Sequence, residues 1–296
     1  MLMDKALVYL KRDGHDVEDY IKDKGRYISF DRTYNKYSVF NMCYIGDILS
    51  RALFAVSLKA VPQFSVLDVD GENYFNQYFY EINHEGREEF IGDQKYARCK
   101  ILLNAPDWNL SLNDRIAYGK IYSYFFKLKS EICDDYEEEY RKIRQKTANG
   151  NLIGVVARGT DYLILKPKGH PIQPNLRVVI DYLKDSFDFS KDYLYVATDE
   201  KRLLSEIDAV FGGRVITSES EYYDSLYDSK DPYISHISFE RDNDKYLKGF
   251  DYFKRVFVLS KCDGMVGGMN GAMRAANIMH GGSYDFEKIF FYGLYE

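Results

Sequence analysis

Short apolar runs recur through the second half of the chain, at Ile153–Ala157, Tyr193–Ala197 and Gly264–Val266, with a further short strand read at Arg214–Ile216. Segments with apolar positions at helical spacing lie between and after them: Asn175 to Ser186, residues 201–210, Lys248 to Leu259 and Gly271 to His280. Strand and helix in strict alternation predict βα units and a parallel sheet. The first half is less regular. Residues 1–22 read as a helix with Leu7, Leu10, Val17 and Ile21 on one face, broken by Gly14. Tyr27–Phe30 reads as a short strand. Ile48 to Leu58, after Gly46-Asp47, is apolar on two flanks and predicts a largely buried helix. Pro62 follows it, and Phe64–Val69 is the next strand, which makes one βαβ unit. Asn73 to Tyr80 reads as a surface loop or short helix, Lys100–Leu103 as a strand, and Leu112 to Gln145 as one long helix. The acidic run Asp134–Glu139 reads as a solvated helix face. Thr147-Ala148-Asn149-Gly150 is the expected boundary between domains spanning 1–148 and 149–296.

Composition narrows the function classes. With 296 residues, 46% hydrophobic and 29% charged, the chain can fill one large or two medium cores. A net charge of -6 argues against a nucleic-acid partner. Cys43, Cys99, Cys133 and Cys262 are far apart and suggest neither a zinc site nor a disulfide scaffold. The charged N-terminal segment lacks the apolar core of a signal peptide, and no stretch is long and apolar enough to span a bilayer. The expectation is a cytoplasmic protein, with peripheral membrane association left open. The 28 tyrosines suit a carbohydrate-handling surface but do not establish one.

Three strand ends in the second half converge on one edge if the sheet is parallel. The first, Ile153-Gly154-Val155-Val156-Ala157, delivers Arg158 and Asp161, with Tyr162 and His170-Pro171 beyond. Open α/β sheets bind ligands at that edge, and a guanidinium fits phosphate oxygens by a forked contact. The plainer alternative is an edge ion pair between Arg158 and Asp161. The second end gives Thr198, Asp199 and Glu200, where acids can accept from ribose hydroxyls or a base N–H, or where Thr198-Asp199 simply caps a helix. The third gives Gly267-Gly268-Met269-Asn270-Gly271, opening directly into a helix whose free N–H groups and dipole form an anion site. A diphosphate held between that turn and Arg158 is chemically sensible. His170, between Gly169 and Pro171, could serve the acceptor site as a cap or acid, or hold its loop by a backbone hydrogen bond.

These stretches resemble a known family. Ile153 to Asp161 with His170-Pro171 is similar to the first motif of the GT-B fucosyltransferases, the superfamily of Nod-factor and core α1,6 enzymes. Tyr195-Val196-Ala197-Thr198-Asp199-Glu200 is similar to their second motif, and Phe250 to Asn277 to their third. The resemblance covers roughly 152–280, with a faint echo in Gly46-Asp47 and Val66-Leu67-Asp68. It implies two Rossmann-like α/β domains with a cleft between them, the first receiving a glycan acceptor and the second a nucleotide-sugar donor. It further implies inverting, metal-independent transfer of a deoxyhexose, fucose from GDP-fucose, in polysaccharide biosynthesis, with no cofactor beyond that donor. Arg158 would bind the diphosphate and stabilise the leaving group, Asp199 with Thr198 would hold base or ribose, and Gly268, Asn270 and Gly271 would cradle a phosphate. This sequence has Val156, Gly159, Tyr162 and Lys166 where the family places histidine, its second arginine, often lysine, and the glutamate proposed as acceptor base. Asp161 is then the candidate base.

Rival readings rest on other residues. Asp68-Val69-Asp70 after an apolar strand is the pattern by which metal-dependent GT-A transferases hold a divalent cation, although Gly71 makes an ordinary turn equally apt. A non-catalytic nucleotide-sugar-binding module would keep the same fold. A dinucleotide oxidoreductase is weaker, because no GxGxxG follows the first strand.

Overall fold

The structure, a computed structural model, describes all residues except 1, 23–24, 34–41, 68–70, 91–107, 148–149 and 232. The expected strand at 100–103, Asp68 and Asp70, and the centre of the expected boundary at 148–149 lie outside the described residues. The chain divides into two compact units: Met1–Cys133 with Asn277–Gly282, and Asp134–Ala276 with Ser283–Glu296.

The first unit contains α1 (Leu2–Leu10), α2 (Val17–Ile21), β1 (Arg26–Thr33), α3 (Met42–Ser57), β2 (Val61–Leu67), α4 (Tyr74–Tyr78), β3 (Glu88–Glu89) and α5 (Leu112–Phe125). Its sheet runs β2-β1-β3, and β1 pairs in parallel with both neighbours. The βαβ unit expected around Ile48–Leu58 is therefore present. Pro62 lies within β2, an outer strand, where a missing N–H is tolerated. The N-terminal helix is two helices, separated at the Gly14 region. Asn73–Tyr80 takes the short-helix alternative over the surface loop, and the helix is buried: Asn73 caps α4 by accepting from Phe75 N–H, and Tyr74, Phe75 and Tyr78 are buried. The cause is aromatic packing, with Phe75 5.3 Å from Phe64 and 5.1 Å from Phe79 between ring centres.

The expected long helix at 112–145 is also two. The first ends at Phe126, whose N–H closes on Tyr122 O, and α6 (Ser130–Thr147) follows. Phe126 is buried among aromatics, including a stacked contact to Tyr122 at 5.2 Å. Burying that ring turns the chain where helical periodicity alone continues it.

The second unit holds β4 (Asn151–Ala157), α7 (Thr160–Leu165), α8 (Leu176–Ser186), β5 (Asp192–Thr198), α9 (Lys201–Phe211), β6 (Val215–Ile216), α10 (Asp244–Ser260), β7 (Gly264–Gly268), α11 (Gly271–His280) and β8 (Phe286–Phe290). Residues Asn277–His280 of α11 fall in the first unit. The sheet is fully parallel in the order β6-β5-β4-β7-β8. This is the doubly wound order, and the α/β class with parallel sheets is the observed one. From Leu152 to Ala157, β4 is buried at every position, as expected of a central strand covered on both faces. Its face toward α8 and α9 packs Ile153, Val155 and Ala157 against Val179, Leu183, Leu203 and Ile207. Asp263 fixes the strand's start, accepting from Leu152 N–H at 2.7 Å and from Arg144 at 2.9 Å.

Two elements here escape the hydrophobic pattern. β8 reads Phe-Glu-Lys-Ile-Phe at the outer edge, too mixed to signal a strand. α7 is one short helix in the connection between β4 and α8. Between β6 and α10 lie turns of 3₁₀ helix at Asp224–Asp228 and Ile234–His236, and Tyr223 and Leu226 are buried.

Candidate functional site

In this strand order the chain winds outward from β4 to β6 and then returns to β7 on the other side of β4. The switch point therefore lies between the carboxyl ends of β4 and β7, where such sheets bind ligands. Arg158 is the first residue past β4, and Met269-Asn270 the first past β7. Sequence reasoning places the candidate site at this edge.

Arg158 is held there by carboxylates on both sides. Its Nη2 donates to Asp161 at 2.7 Å and its Nη1 pairs with Asp199. The guanidinium carbon sits 5.1 Å from the centre of the buried Tyr162 ring. The plain ion pair between Arg158 and Asp161 thus exists. Asp199 faces two guanidiniums, since Arg255 from α10 also reaches it at 3.4 Å and donates to Thr198 O at 2.7 Å. Arg158 and Arg255 carry two positive charges and Asp161 and Asp199 two negative ones, so the cluster is balanced as it stands. Arg255 escapes the sequence reading because it sits inside a helical pattern, where a single cation looks like an exposed one; here it is buried.

The backbone after Arg158 is unusual. Thr160 has φ +47, a left-handed conformation that a β-branched residue adopts only under constraint. The constraint is Glu200, fully buried at the end of β5. Its carboxylate accepts from Thr160 N–H, from Tyr227 Oη at 2.8 Å and from Arg202 Nη2 at 3.1 Å. A Cβ at Gly159 would overlap the same carboxylate, so the position next to Arg158 must lack a side chain. Thr198 is also internal: its Oγ1 accepts from Glu200 N–H at 3.2 Å.

A cavity of about 450 Å³ opens beside Arg158. Val156, Ala157, Val179 and Leu203 supply its apolar wall, Gln173 to Leu176 the start of α8, and Arg202 and Glu206 the charged wall on α9. Such mixed lining suits a small polar ligand with an apolar part.

The glycine turn after β7 is filled by the chain itself. Gln173 Nε2 donates to Met269 O at 2.7 Å and to Pro171 O at 3.0 Å. A Cβ at Gly268 would sit 2.5 Å from Pro174 Cδ. Asn270 caps α11, its side chain accepting from Met273 N–H at 3.0 Å, while Gly271 begins the helix. His170 is placed in the loop before Gln173, with Nδ1 3.3 Å from Lys168 O and its ring edge-on to Tyr162 at 5.4 Å. Its carbonyl accepts from Tyr295 N–H at 2.9 Å, so the chain's last residues brace this loop. The structure brings Arg158, Asp161, Asp199, Thr198 and Tyr162 into one cluster, and joins Gly268 and Asn270 to Gln173. Among the described residues no group of three or more potential metal ligands occurs.

No protein-family model matches the chain, and no curated protein matches it. Among solved structures it is similar to the alpha-1,6-fucosyltransferase NodZ soaked with GDP-fucose, at 14% identity over 87% of this chain and 93% of that one, with a TM-score of 0.48. A structure of fucosyltransferase NodZ from Bradyrhizobium matches at 14% identity over 86% and 92% of the two chains, TM-score 0.46. A variant of Arabidopsis thaliana FUT1 in complex with GDP matches at 10% identity over 97% of this chain and 74% of that one, TM-score 0.47.

Proposed function

We propose that the chain is a glycosyltransferase that takes a deoxyhexose from a nucleoside diphosphate, with GDP-fucose as donor and a glycan as acceptor. The observation that carries this reading is Arg158: a residue at the switch point of a doubly wound sheet that borders an open cavity, its guanidinium fixed by two carboxylates. The resemblance of the 153–161, 195–200 and 250–277 stretches to the fucosyltransferase motifs supports it. In this reading the second unit binds the donor and the first serves the acceptor.

The chemistry asked of the site is loss of a diphosphate from the sugar as an acceptor hydroxyl attacks its anomeric carbon. Negative charge grows on the leaving phosphate, and a preorganised guanidinium stabilises it without a metal. Asp161 is the proposed base, placed beside Arg158 to take the hydroxyl proton. The base and ribose role of Asp199 is better replaced by one of orientation, because both of its oxygens are engaged by arginines.

The same engagement favours a second reading, a nucleotide-sugar-binding module without transfer, because an arginine already neutralised gains less from a phosphate. The two separate on turnover. Release of GDP from GDP-fucose, with mixed oligosaccharides as acceptors, should be measurable in the wild type and fall at least 100-fold in Arg158→Ala. Nucleotide binding with no detectable release would favour the module instead.

A further inference from the structure

We propose that Arg202, on the first turn of α9, is a second cation for the diphosphate, delivered to the same cavity as Arg158 from the neighbouring strand end. The inference rests on the donor-site reading above and names a further binding residue within it.

Arg158, following β4, and Arg202, following β5, are both lining residues of one cavity. They are mechanically joined. Glu200 accepts from Arg202 Nη2 through one oxygen, and through the other from Thr160 N–H, two residues after Arg158. The space that a side chain at Gly159 would need is the space Glu200 fills. Removing a side chain beside Arg158 thus admits the carboxylate that anchors Arg202. The ring of Tyr227, itself bonded to Glu200, supports the Arg202 guanidinium at 5.8 Å.

The partners of the two arginines differ in kind. Arg158 is tied to Asp161 and Asp199 with its side chain 18% exposed, whereas the Arg202 side chain is 53% exposed. The second partner of Arg202 is Glu206, one turn along the same helix at 2.9 Å, also about half exposed. Pairs of that sort contribute little and exchange readily for a stronger anion. A phosphate entering the cavity can displace Glu206 while Glu200 keeps the guanidinium aimed. A diphosphate carries more charge than Arg158 alone can meet, and Arg202 supplies the balance.

The test is calorimetric titration of the full chain with GDP, inorganic pyrophosphate and guanosine, for wild type, Arg202→Ala, Arg202→Lys and Glu206→Gln. Arg202→Ala should weaken GDP and pyrophosphate about ten-fold and leave guanosine unchanged, with Arg202→Lys in between. Glu206→Gln should bind GDP as tightly as wild type or tighter, because it removes a competitor. The affinity lost in Arg202→Ala should shrink at high salt. If wild type binds GDP and Arg202→Ala binds it equally well, the role of Arg202 is overturned while the donor site stands. If wild type binds neither GDP nor pyrophosphate, the donor-site reading itself falls and this inference with it.

Discussion

Gly159 and Glu200 compete for one volume: the direction in which a side chain would leave Gly159 is occupied by the buried Glu200 carboxylate. The need for glycine at 159 includes one of space, since an added Cβ would overlap the Glu200 carboxylate. Gly159→Ala should therefore push Glu200 from Thr160, Tyr227 and Arg202 together and cost about 2–3 kcal/mol. Urea denaturation measures it; an unchanged midpoint would mean the carboxylate moves aside freely.

Asp199 pairs with both Arg158 and Arg255. Asp199→Asn keeps the shape and removes the charge, taking from the buried Arg255 the carboxylate it pairs with and leaving Asp251 on its own helix as a nearby anion. A loss of about 3 kcal/mol is expected, together with weaker nucleotide binding because Arg158 loses one of its two guides. A variant as stable as wild type would show that Thr198 O and Asp251 suffice for Arg255.

Alkaline pH should unfold the protein through buried phenols. Burial pushes Tyr223 up to about 12 and also raises Tyr122 and Tyr195, the last donating or accepting with Ser218 at 2.8 Å. A raised folded-state value means that the unfolded chain ionises first. The contribution is complete below about pH 10 and is lost as pH rises through 12. Melting temperature should hold to about pH 9.5 and then fall steeply, and Tyr195→Phe should soften that fall.

Donor turnover is expected to persist in excess EDTA, because guanidiniums and not a metal ion are assigned to the diphosphate. Loss of activity restored by Mg²⁺ or Mn²⁺ would return attention to Asp68 and Asp70.

How far the sequence carried the account differs between the two units. The strands β4, β5 and β7 and their helices are legible because strands buried on both faces are apolar throughout, and the turns after them keep glycine or acid. The order of those strand ends places Arg158, Asp199 and the 267–271 turn at one edge before any coordinates. What stays hidden are residues whose role depends on a distant partner. Arg255 and Arg202 look like ordinary helical cations until Asp199 and Glu200 are seen beside them. Gln173 gives no signal at all, because the glycine turn it closes lies almost a hundred positions later. Phe126 and Phe75 reverse the helix and surface readings by packing together, an effect that local periodicity does not contain.

The central claim is that Arg158 receives a nucleoside diphosphate, and thermal shift against GDP, UDP, dTDP and CDP tests it most directly. The account predicts that GDP, at a hundred-fold excess over its Kd, raises the melting temperature of wild type by about 5 °C and that of Arg158→Ala by much less. No shift with any of the four, or an equal shift in both proteins, would contradict it.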